Sequence, residues 1–372
     1  MWKRKAALIA TIAATTATVT AEDRPTFDFL SSVEGVHQAH LLVQSDNSLL
    51  LVWVQKGPDD LDLFAARRVS NGKFSNPIKI NRQGLNRYTG DEARPSVALG
   101  PKGTVAIAWT ARNNDIVLAT GHRFGTAFDP PIKLNQDEGK AYRTMPATAI
   151  SPDGATHTVW LDPRDAPPGR EEPSDLYYAR VEEGAVEEKN LTAMQELTVC
   201  GCCRPYLAIE GDGTFDIAFR NSTEGGYRDI SVITGRAGKF GEPRATSPPI
   251  WKLGGCPMAG PIRSDGGTMW KDASTGSWRL LWSTDAGEDP KVLLEDGEGL
   301  VLGNSPRYVS GRDGWVLIAA EPHSFILAKN GDSWKVESDD LPAWVSSAAV
   351  VDDRLVLIGT EDGGFRAETR RP

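Results

Sequence analysis

The stretch RPSVALGPKGTVAIAWTA, residues 94–111, contains two short apolar segments separated by a Pro-Lys-Gly turn. The same pattern recurs as MPATAISPDGATHTVWLD at 145–162 and as RPYLAIEGDGTFDIAFRN at 204–221. Short apolar runs bounded by glycine or proline are typical of β-strands joined in hairpins. Each copy therefore predicts one strand, a turn and a second strand that ends near a large residue.

Looser copies of this hairpin extend the repeat to seven, at 39–55, 260–273, 305–321 and 344–361. Most copies are followed by a third strand and then by a glycine turn that leads to a fourth. Such a unit, repeated every 40 to 60 residues or so, is typical of a propeller blade, because one sheet buries both faces only by stacking on its neighbours. We predict an all-β fold in which residues 22–372 form a single β-propeller of seven four-stranded blades, with six blades as the alternative. The segment TFDFLSS at 26–32 is expected to pair with the last unit and close the ring.

The N-terminus has the layout of a secretory signal peptide. Lys3, Arg4 and Lys5 precede an uncharged stretch from Ala6 to Val19, and small residues stand before a cleavage point after Ala21. The stretch is short and rich in Ala and Thr, which disfavours a retained membrane anchor. We predict a signal peptide at 1–21 and a secreted or periplasmic protein in which disulfides can form.

The charge balance narrows the classes of partner. The chain has 41 Lys and Arg against 50 Asp and Glu, a net charge of −9, and no long basic run after the leader. Nucleic acids and anionic membrane surfaces are therefore poor partners. We expect a small molecule, a glycan or a metal ion to bind at the mouth of the central channel, where propeller loops converge.

Three segments resemble degenerate Asp boxes, the BNR repeats of sialidase-like propellers. They are residues 70–74 (SNGKF), the pair Gly238 and Phe240, and residues 283–287 (STDAG). In that family the Asp box is a structural turn, so the resemblance implies the propeller fold and no catalytic role.

A second resemblance involves the cysteines. The segments 200–204 (CGCCR), 219–220 (FR), 228–230 (RDI) and 255–261 (GCPMAGP) are similar to motifs of a group of bacterial exported sialidase-like propellers. The similarity covers most of the chain after the leader. It implies a propeller with a cysteine-rich centre and implies no particular activity.

The four cysteines, Cys200, Cys202, Cys203 and Cys256, fall in loops that lead into innermost strands, so we expect their sulfurs to converge. One interpretation is two disulfides, with Cys202 bonded to Cys256 and Cys200 to Cys203. Closing the loop between the motifs would stabilise the fold by about 4 kcal/mol in the chain-entropy model. The second interpretation is a metal site in which these thiolates, Met258 and His37 or His40 bind copper as Cu(I), or zinc. A redox-active dithiol is the third.

Two functions remain open at the channel. The first is non-hydrolytic binding of a ligand by arginines near the cysteines, namely Arg94, Arg143, Arg204 and Arg220. The alternative is an exo-alpha-sialidase-type glycoside hydrolase, in which the resemblance implies Tyr308 as nucleophile, Asp60 or Asp62 as acid, and Arg220 and Arg263 as clamps on the substrate carboxylate. The first clamp arginine of that family has no counterpart, because residues 37–40 read HQAH. We therefore predict binding rather than hydrolysis.

Overall fold

The computed structural model describes residues 33–371 except 45, 69–72, 87–90, 167–172, 194–197, 224, 237, 254–256, 265, 285–288, 298–299, 304, 332 and 363. The predicted signal peptide (1–21), the predicted closing strand (26–32) and Cys256 lie outside the described residues, as do most of the first and third Asp-box segments. The other Asp-box remnant forms a short strand, Lys239–Phe240.

Two antiparallel sheets begin the described chain. The first has the order β1-β2-β3-β4, with strands Val36–Val43, Leu49–Lys56, Leu61–Arg67 and Ile78–Lys79. The second has the order β5-β6-β7-β8, with β9 also paired to β7, and its strands are Ser96–Leu99, Val105–Thr110, Ile116–His122, Ala127–Phe128 and Ile132–Lys133. Two 3-10 turns accompany the second sheet, at Asp91–Ala93 and Pro101–Gly103.

The middle of the chain forms two successive units joined into one sheet. The strands of the first unit are β10–β13, at Thr144–Ile150, Thr156–Asp162, Pro173–Glu182 and Ala185–Asn190. The second unit contains β15–β19, at Tyr206–Ile209, Thr214–Ser222, Ile230–Arg236, Lys239–Phe240 and Arg244–Ala245. Strand β14, Thr198–Cys200, pairs with both β12 and β16 and so connects the units.

Three further units complete the described chain. One sheet contains β20–β23, at Ile262–Ser264, Gly267–Asp272, Arg279–Thr284 and Lys291–Glu295. The next contains β25, β26, β28 and β29, at Arg307–Tyr308, Trp315–Ile318, His323–Asn330 and Ser333–Pro342; β24 (Val301–Leu302) pairs with β27 (Ala320–Glu321) beside it. The last has three strands, β30–β32, at Val345–Val351, Arg354–Glu361 and Gly364–Arg370.

The second strand of several units is buried on both faces. Strands β6 and β11 are buried along their whole length, and β2 along its first six residues. A strand in the middle of a sheet reaches this state when neighbouring sheets cover both of its faces. Tryptophans occupy this position in four units and are at most 2% exposed: Trp53, Trp109, Trp160 and Trp270. The repeated aromatic near the end of the hairpin is therefore the residue that packs between sheets.

Hydrophobic clusters join each unit to the next. Trp109 packs with β2 and β3, Trp160 with β6 and β7, and Trp270 with β16 and β17. Val356 and Ile358 of the last sheet pack with Trp53 of the first, so the packing returns from the end of the described chain to its beginning. Glu34 also forms an isolated antiparallel bridge with Gly364. The predicted all-β architecture is confirmed.

Candidate functional site

A cavity of about 280 Å³ lies among the innermost strands. It is lined by residues of β1, β5, β10, β15, β20 and β25 or of the segments that lead into them. A cavity shared by the inner strands of successive sheets is the central channel expected of a propeller. Its polar lining includes His40, Arg94, Arg204, Tyr206, Arg307 and Tyr308.

Arg204 is held at this cavity by backbone oxygens. Its guanidinium donates to the carbonyl oxygens of Glu92 at 3.2 Å and Pro146 at 2.5 Å, and to that of Arg94. The backbone N–H of Arg204 donates to Glu92 Oε2 at 2.9 Å. Because these carbonyls belong to two other units, Arg204 fixes the relative position of three inner segments.

Glu92 is fully buried and accepts hydrogen bonds from several units. Besides Arg204, its carboxylate accepts from the backbone N–H of Gly260 at 3.1 Å and from the hydroxyl of Ser305. Ser305 Oγ in turn accepts from Gly260 N at 2.7 Å. A carboxylate with this many donors stabilises buried N–H groups that would otherwise be unpaired.

Two tyrosines meet at the cavity. Tyr206 Oη donates to Tyr308 Oη at 3.3 Å, and their ring centroids are 5.9 Å apart. Burial and the neighbouring Tyr308 raise the pKa of Tyr206 well above its ordinary value. Tyr206 therefore stays a neutral hydroxyl, while Tyr308 is 38% exposed and accessible to a ligand.

The sialidase-type residues are not brought together. Among the described residues that line the cavity with Tyr308 there is no Asp or Glu. Asp60 lines a different cavity with Asp62, and it pairs with Arg112 at 2.9 Å. Arg263 does not line the channel cavity either; it is buried, pairs with Asp216 at 2.8 Å and donates to Thr268 Oγ1 at 2.7 Å.

Two arginines expected at the ligand site have structural contacts instead. Arg143 is fully buried and pairs with Asp137 and, at 3.1 Å, with Asp162. Arg220 is also fully buried and donates to the carbonyl oxygens of Ala259 at 2.8 Å and Lys271 at 2.8 Å. The sequence predicts that both line the channel, but neither is among the described residues that line this cavity. Arg94 and Arg204 do line it.

The cysteine segment forms a compact sulfur cluster. Cys200 ends β14, and its Sγ lies 3.3 Å from Cys202 Sγ and 3.9 Å from Cys203 Sγ. Cys202 Sγ and Cys203 Sγ are 4.0 Å apart, and all three residues are buried. In the structure Cys202 is disulfide-bonded, whereas Cys200 and Cys203 are free thiols. The expected bond between Cys200 and Cys203 is therefore not formed, because their sulfurs are too far apart.

Neighbouring groups give the two free thiols different acidities. The hydrogen bond with Cys203, together with the cations of Arg220 and Arg228, lowers the pKa of Cys200 to about 7. Burial raises the pKa of Cys203 well above its ordinary value. The backbone N–H of Ala259 donates to Cys203 Sγ at 3.3 Å. The cluster thus has one acidic thiol and one that stays protonated.

The other residues expected to bind the metal do not all lie beside the cysteines. Met258 packs against the cysteine cluster. His37 instead lines a cavity with Asp59 and Asp60. Within the described residues, the one group of His, Cys, Asp or Glu close enough to share a metal ion is Cys200, Cys202 and Cys203. Within the described part of the chain, the expected ligands that lie together are therefore these three sulfurs and the neighbouring thioether of Met258.

No family model matches the chain. No curated protein matches it in sequence either. Solved structures do resemble it: an ulvan lyase of polysaccharide lyase family PL25, bound to -[GlcA(1-4)Rha3S]-, is 10% identical with a TM-score of 0.53, over 92% of this chain and 95% of the lyase. The polysaccharide lyase Uly1 is 9% identical with a TM-score of 0.51, over 96% of this chain and 94% of Uly1.

A Hadza microbial sialidase, Hz136, is 12% identical with a TM-score of 0.48, over 92% of this chain. The chain covers 66% of that sialidase, which is just under two thirds of its length. The stacked antiparallel sheets and the similarity to the two lyase structures support a β-propeller fold. At these identities the comparisons show the fold alone. None of the helical segments in the described ranges has the length and apolar character of a membrane span.

Sequence reasoning missed Arg307, which lines the channel cavity, and Glu92, which accepts hydrogen bonds from the lining residues Arg204 and Ser305. A signal for the cavity was present, because a proline directly precedes the inner strand at Pro95, Pro205, Pro261 and Pro306, and Pro146 lies near the start of β10. Proline has no N–H and is tolerated at the start of a strand. Four of these prolines line the cavity.

Proposed function

We propose that this chain is a β-propeller that binds an acidic sugar in its central channel and leaves it intact. The observation that carries the proposal is the lining of the channel cavity. Arg94, Arg204 and Arg307 lie there with Tyr206 and Tyr308, and no carboxylate is present among the described lining residues.

The residues that line the cavity suit the binding of a sugar that carries a negative charge. Guanidinium groups pair with carboxylates and sulfates through two parallel hydrogen bonds. A tyrosine ring offers an apolar face and a polar edge, which suits a sugar ring with its C–H and hydroxyl groups. A cavity of about 280 Å³ is small for a ligand site, so we propose that it takes a single acidic unit such as a uronate. The PL25 ulvan lyase, bound to a saccharide that contains GlcA, is consistent with this ligand class.

At the level of the fold, we propose seven blades in a closed ring. The described units and the packing of Trp53 against the last sheet support this arrangement. The bridge between Glu34 and Gly364 supports closure by the preceding segment, 26–32. We further propose that residues 1–21 direct export and that the propeller, 22–372, works in the periplasm or outside the cell.

Binding without hydrolysis is favoured by the separation of the acid and the nucleophile. A sialidase needs an acid near its tyrosine nucleophile, and other glycosidases need two facing carboxyl groups. Tyr308 and Asp60 line different cavities, and Asp60 is paired with Arg112.

The binding proposal is tested by calorimetric titration of the mature chain with glucuronate and with glucose, which differ in one carboxylate. We expect saturable binding of glucuronate and none of glucose. Loss of a charge-assisted hydrogen bond in Arg307→Gln should weaken binding about tenfold or more. Arg112→Gln, at an arginine outside the cavity, is the matched control and should bind as the wild type does. Equal affinity for both sugars would contradict the proposal.

A second candidate function is the binding of Cu(I), which the sulfur geometry favours. The three sulfurs of Cys200, Cys202 and Cys203 lie within 4.8 Å of one another, and thiolates are preferred ligands of Cu(I). This function requires Cys202 to be reduced. Metal analysis of protein purified from the periplasm tests it: one copper per chain, lost in Cys203→Ser, would support it, and metal-free protein would contradict it.

For the oxidised protein we propose that the partner of Cys202 is Cys256. The chain has four cysteines, and Cys200 and Cys203 are free. Peptide mapping without reduction should recover a peptide pair containing Cys202 and Cys256. Recovery of Cys202 with any other cysteine as the main product would contradict this pairing.

A further inference from the structure

The cysteine cluster brings a free thiol against a disulfide. Cys200 Sγ lies 3.3 Å from Cys202 Sγ, which is outside bonding distance and within direct contact. Cys202 is disulfide-bonded and Cys200 is free. In thiol–disulfide exchange a thiolate attacks one sulfur of a disulfide, so the attacking and attacked atoms are already neighbours here.

The elements around the cluster hold this contact in place. Cys200 ends β14, which pairs with β12 and β16, so the attacking sulfur is carried by a strand fixed on both sides. Gly201 separates it from Cys202. Arg220 beside the cluster is fixed by the carbonyl oxygens of Ala259 and Lys271, and Met258 packs against the sulfurs. Cys203 Sγ lies 3.9 Å from Cys200 Sγ and is held by the backbone N–H of Ala259, which donates to it at 3.3 Å.

We propose that Cys200 and Cys202 form an internal thiol–disulfide exchange site. The Cys200 thiolate attacks Cys202 Sγ, and the new Cys200–Cys202 bond forms as the existing bond of Cys202 breaks. The leaving sulfur, that of Cys256 under the pairing proposed above, departs as a thiolate and takes up the proton that Cys200 has lost. No electrons are gained or lost, because one disulfide replaces another.

This exchange would give the protein a second activity, in which a low-molecular-weight dithiol or disulfide is the reaction partner. A dithiol reductant would attack the exchanging disulfide and transfer two electrons to it. The reductant would leave with a disulfide bond between its own two sulfurs. Binding of an acidic sugar in the channel is separate from this activity, so either function can fail without the other.

Disulfide mapping of the wild-type chain tests the proposal without any variant. The mature protein is equilibrated in glutathione buffers of graded redox potential, quenched with acid, alkylated and digested. We expect two isomers, one with Cys202 bonded to Cys256 and one with Cys200 bonded to Cys202. Recovery of a single isomer at every potential would overturn the proposal, as would a metal ion bound by the three cysteines.

Kinetics of reduction provide the second arm. Cys200→Ser should slow the reduction of the Cys202 disulfide by dithiothreitol about tenfold, because the internal attacking thiol is lost. Thr198→Ser, a conservative change on the same strand β14, is the matched control and should leave the rate of reduction unchanged. Unchanged reduction in Cys200→Ser, in protein with the wild-type circular dichroism spectrum, would also overturn the proposal.

Discussion

Glu92 and Arg204 bind each other through both side chain and backbone. Glu92 Oε2 accepts the backbone N–H of Arg204 at 2.9 Å, and the Arg204 guanidinium donates to the Glu92 carbonyl oxygen at 3.2 Å. The two residues are 112 positions apart in sequence. Arg204 also follows Cys203 directly, so this one contact links the segments that lead into β5 and β15, the channel cavity and the cysteine cluster.

Glu92→Ala should destabilise the protein by about 2–4 kcal/mol, since buried N–H groups of Arg204 and Gly260 lose their acceptor. Chemical denaturation measures the change in the free energy of unfolding. Glu361→Ala, which removes an exposed carboxylate paired with Arg366, is the control and should change it by about 0.5 kcal/mol or less. Equal effects of the two substitutions would show that Glu92 is not a structural centre.

Arg143→Met should cost about 3 kcal/mol of unfolding free energy, because Asp162 stays buried without one of its cationic partners. The affinity for glucuronate should not change, because Arg143 does not line the channel cavity. The measurement is denaturation combined with calorimetric titration. A loss of glucuronate affinity in a folded variant would restore the ligand-binding role expected from sequence.

The wild-type chain should release no fluorophore from a 4-methylumbelliferyl sialoside. The reason is geometric: Tyr308 and Asp60 lie in different cavities, and Asp60 pairs with Arg112. A bacterial sialidase assayed in parallel is the positive control. Turnover that disappears in Tyr308→Phe would establish the hydrolase alternative.

Protein stability should fall as the pH drops below about 6.5, partly because of His157. Burial lowers the pKa of this imidazole from 6.5 to about 4, and its ring nitrogens lie 2.7 Å from Tyr178 Oη and 3.0 Å from Ser151 Oγ. Between these values the unfolded chain binds more protons than the folded chain, so stability present above pH 6.5 is lost toward pH 4.

The difference between the two pKa values corresponds to about 3 kcal/mol of unfolding free energy for this group. Denaturation curves at pH 7 and pH 4 should therefore show a smaller pH dependence in His157→Gln than in the wild type. His122→Gln, at an exposed histidine paired with Asp129, is the control. If His157→Gln keeps the full wild-type pH dependence, the buried imidazole does not contribute to it.

The fold could be predicted because the residues that recur in the repeat are the ones that pack between sheets. Trp53, Trp109, Trp160 and Trp270 recur near the ends of second strands and lie between sheets in the structure. Every sheet that is covered on both faces needs large apolar residues at this position. The pattern can therefore be recognised from the repeats of a single sequence. The sulfur cluster was also predictable, since Cys200, Cys202 and Cys203 are neighbours in sequence.

The roles of the arginines could not be predicted in the same way. Arg94 and Arg220 occupy comparable loops, yet one lines the cavity and the other is buried among backbone carbonyls. Which of these occurs depends on carbonyl groups from distant units, such as those of Ala259 and Lys271. Glu92 was missed for the same reason, because its donors come from segments 112 to 213 positions away.

The most direct test of the central claim is a crystal structure of the mature chain with glucuronate. We predict density for an intact sugar in the channel cavity, with its carboxylate within hydrogen-bonding distance of Arg94 or Arg307 and its ring against Tyr308. An empty channel at saturating glucuronate, or a sugar bound instead in the cavity of Asp60, would contradict the account.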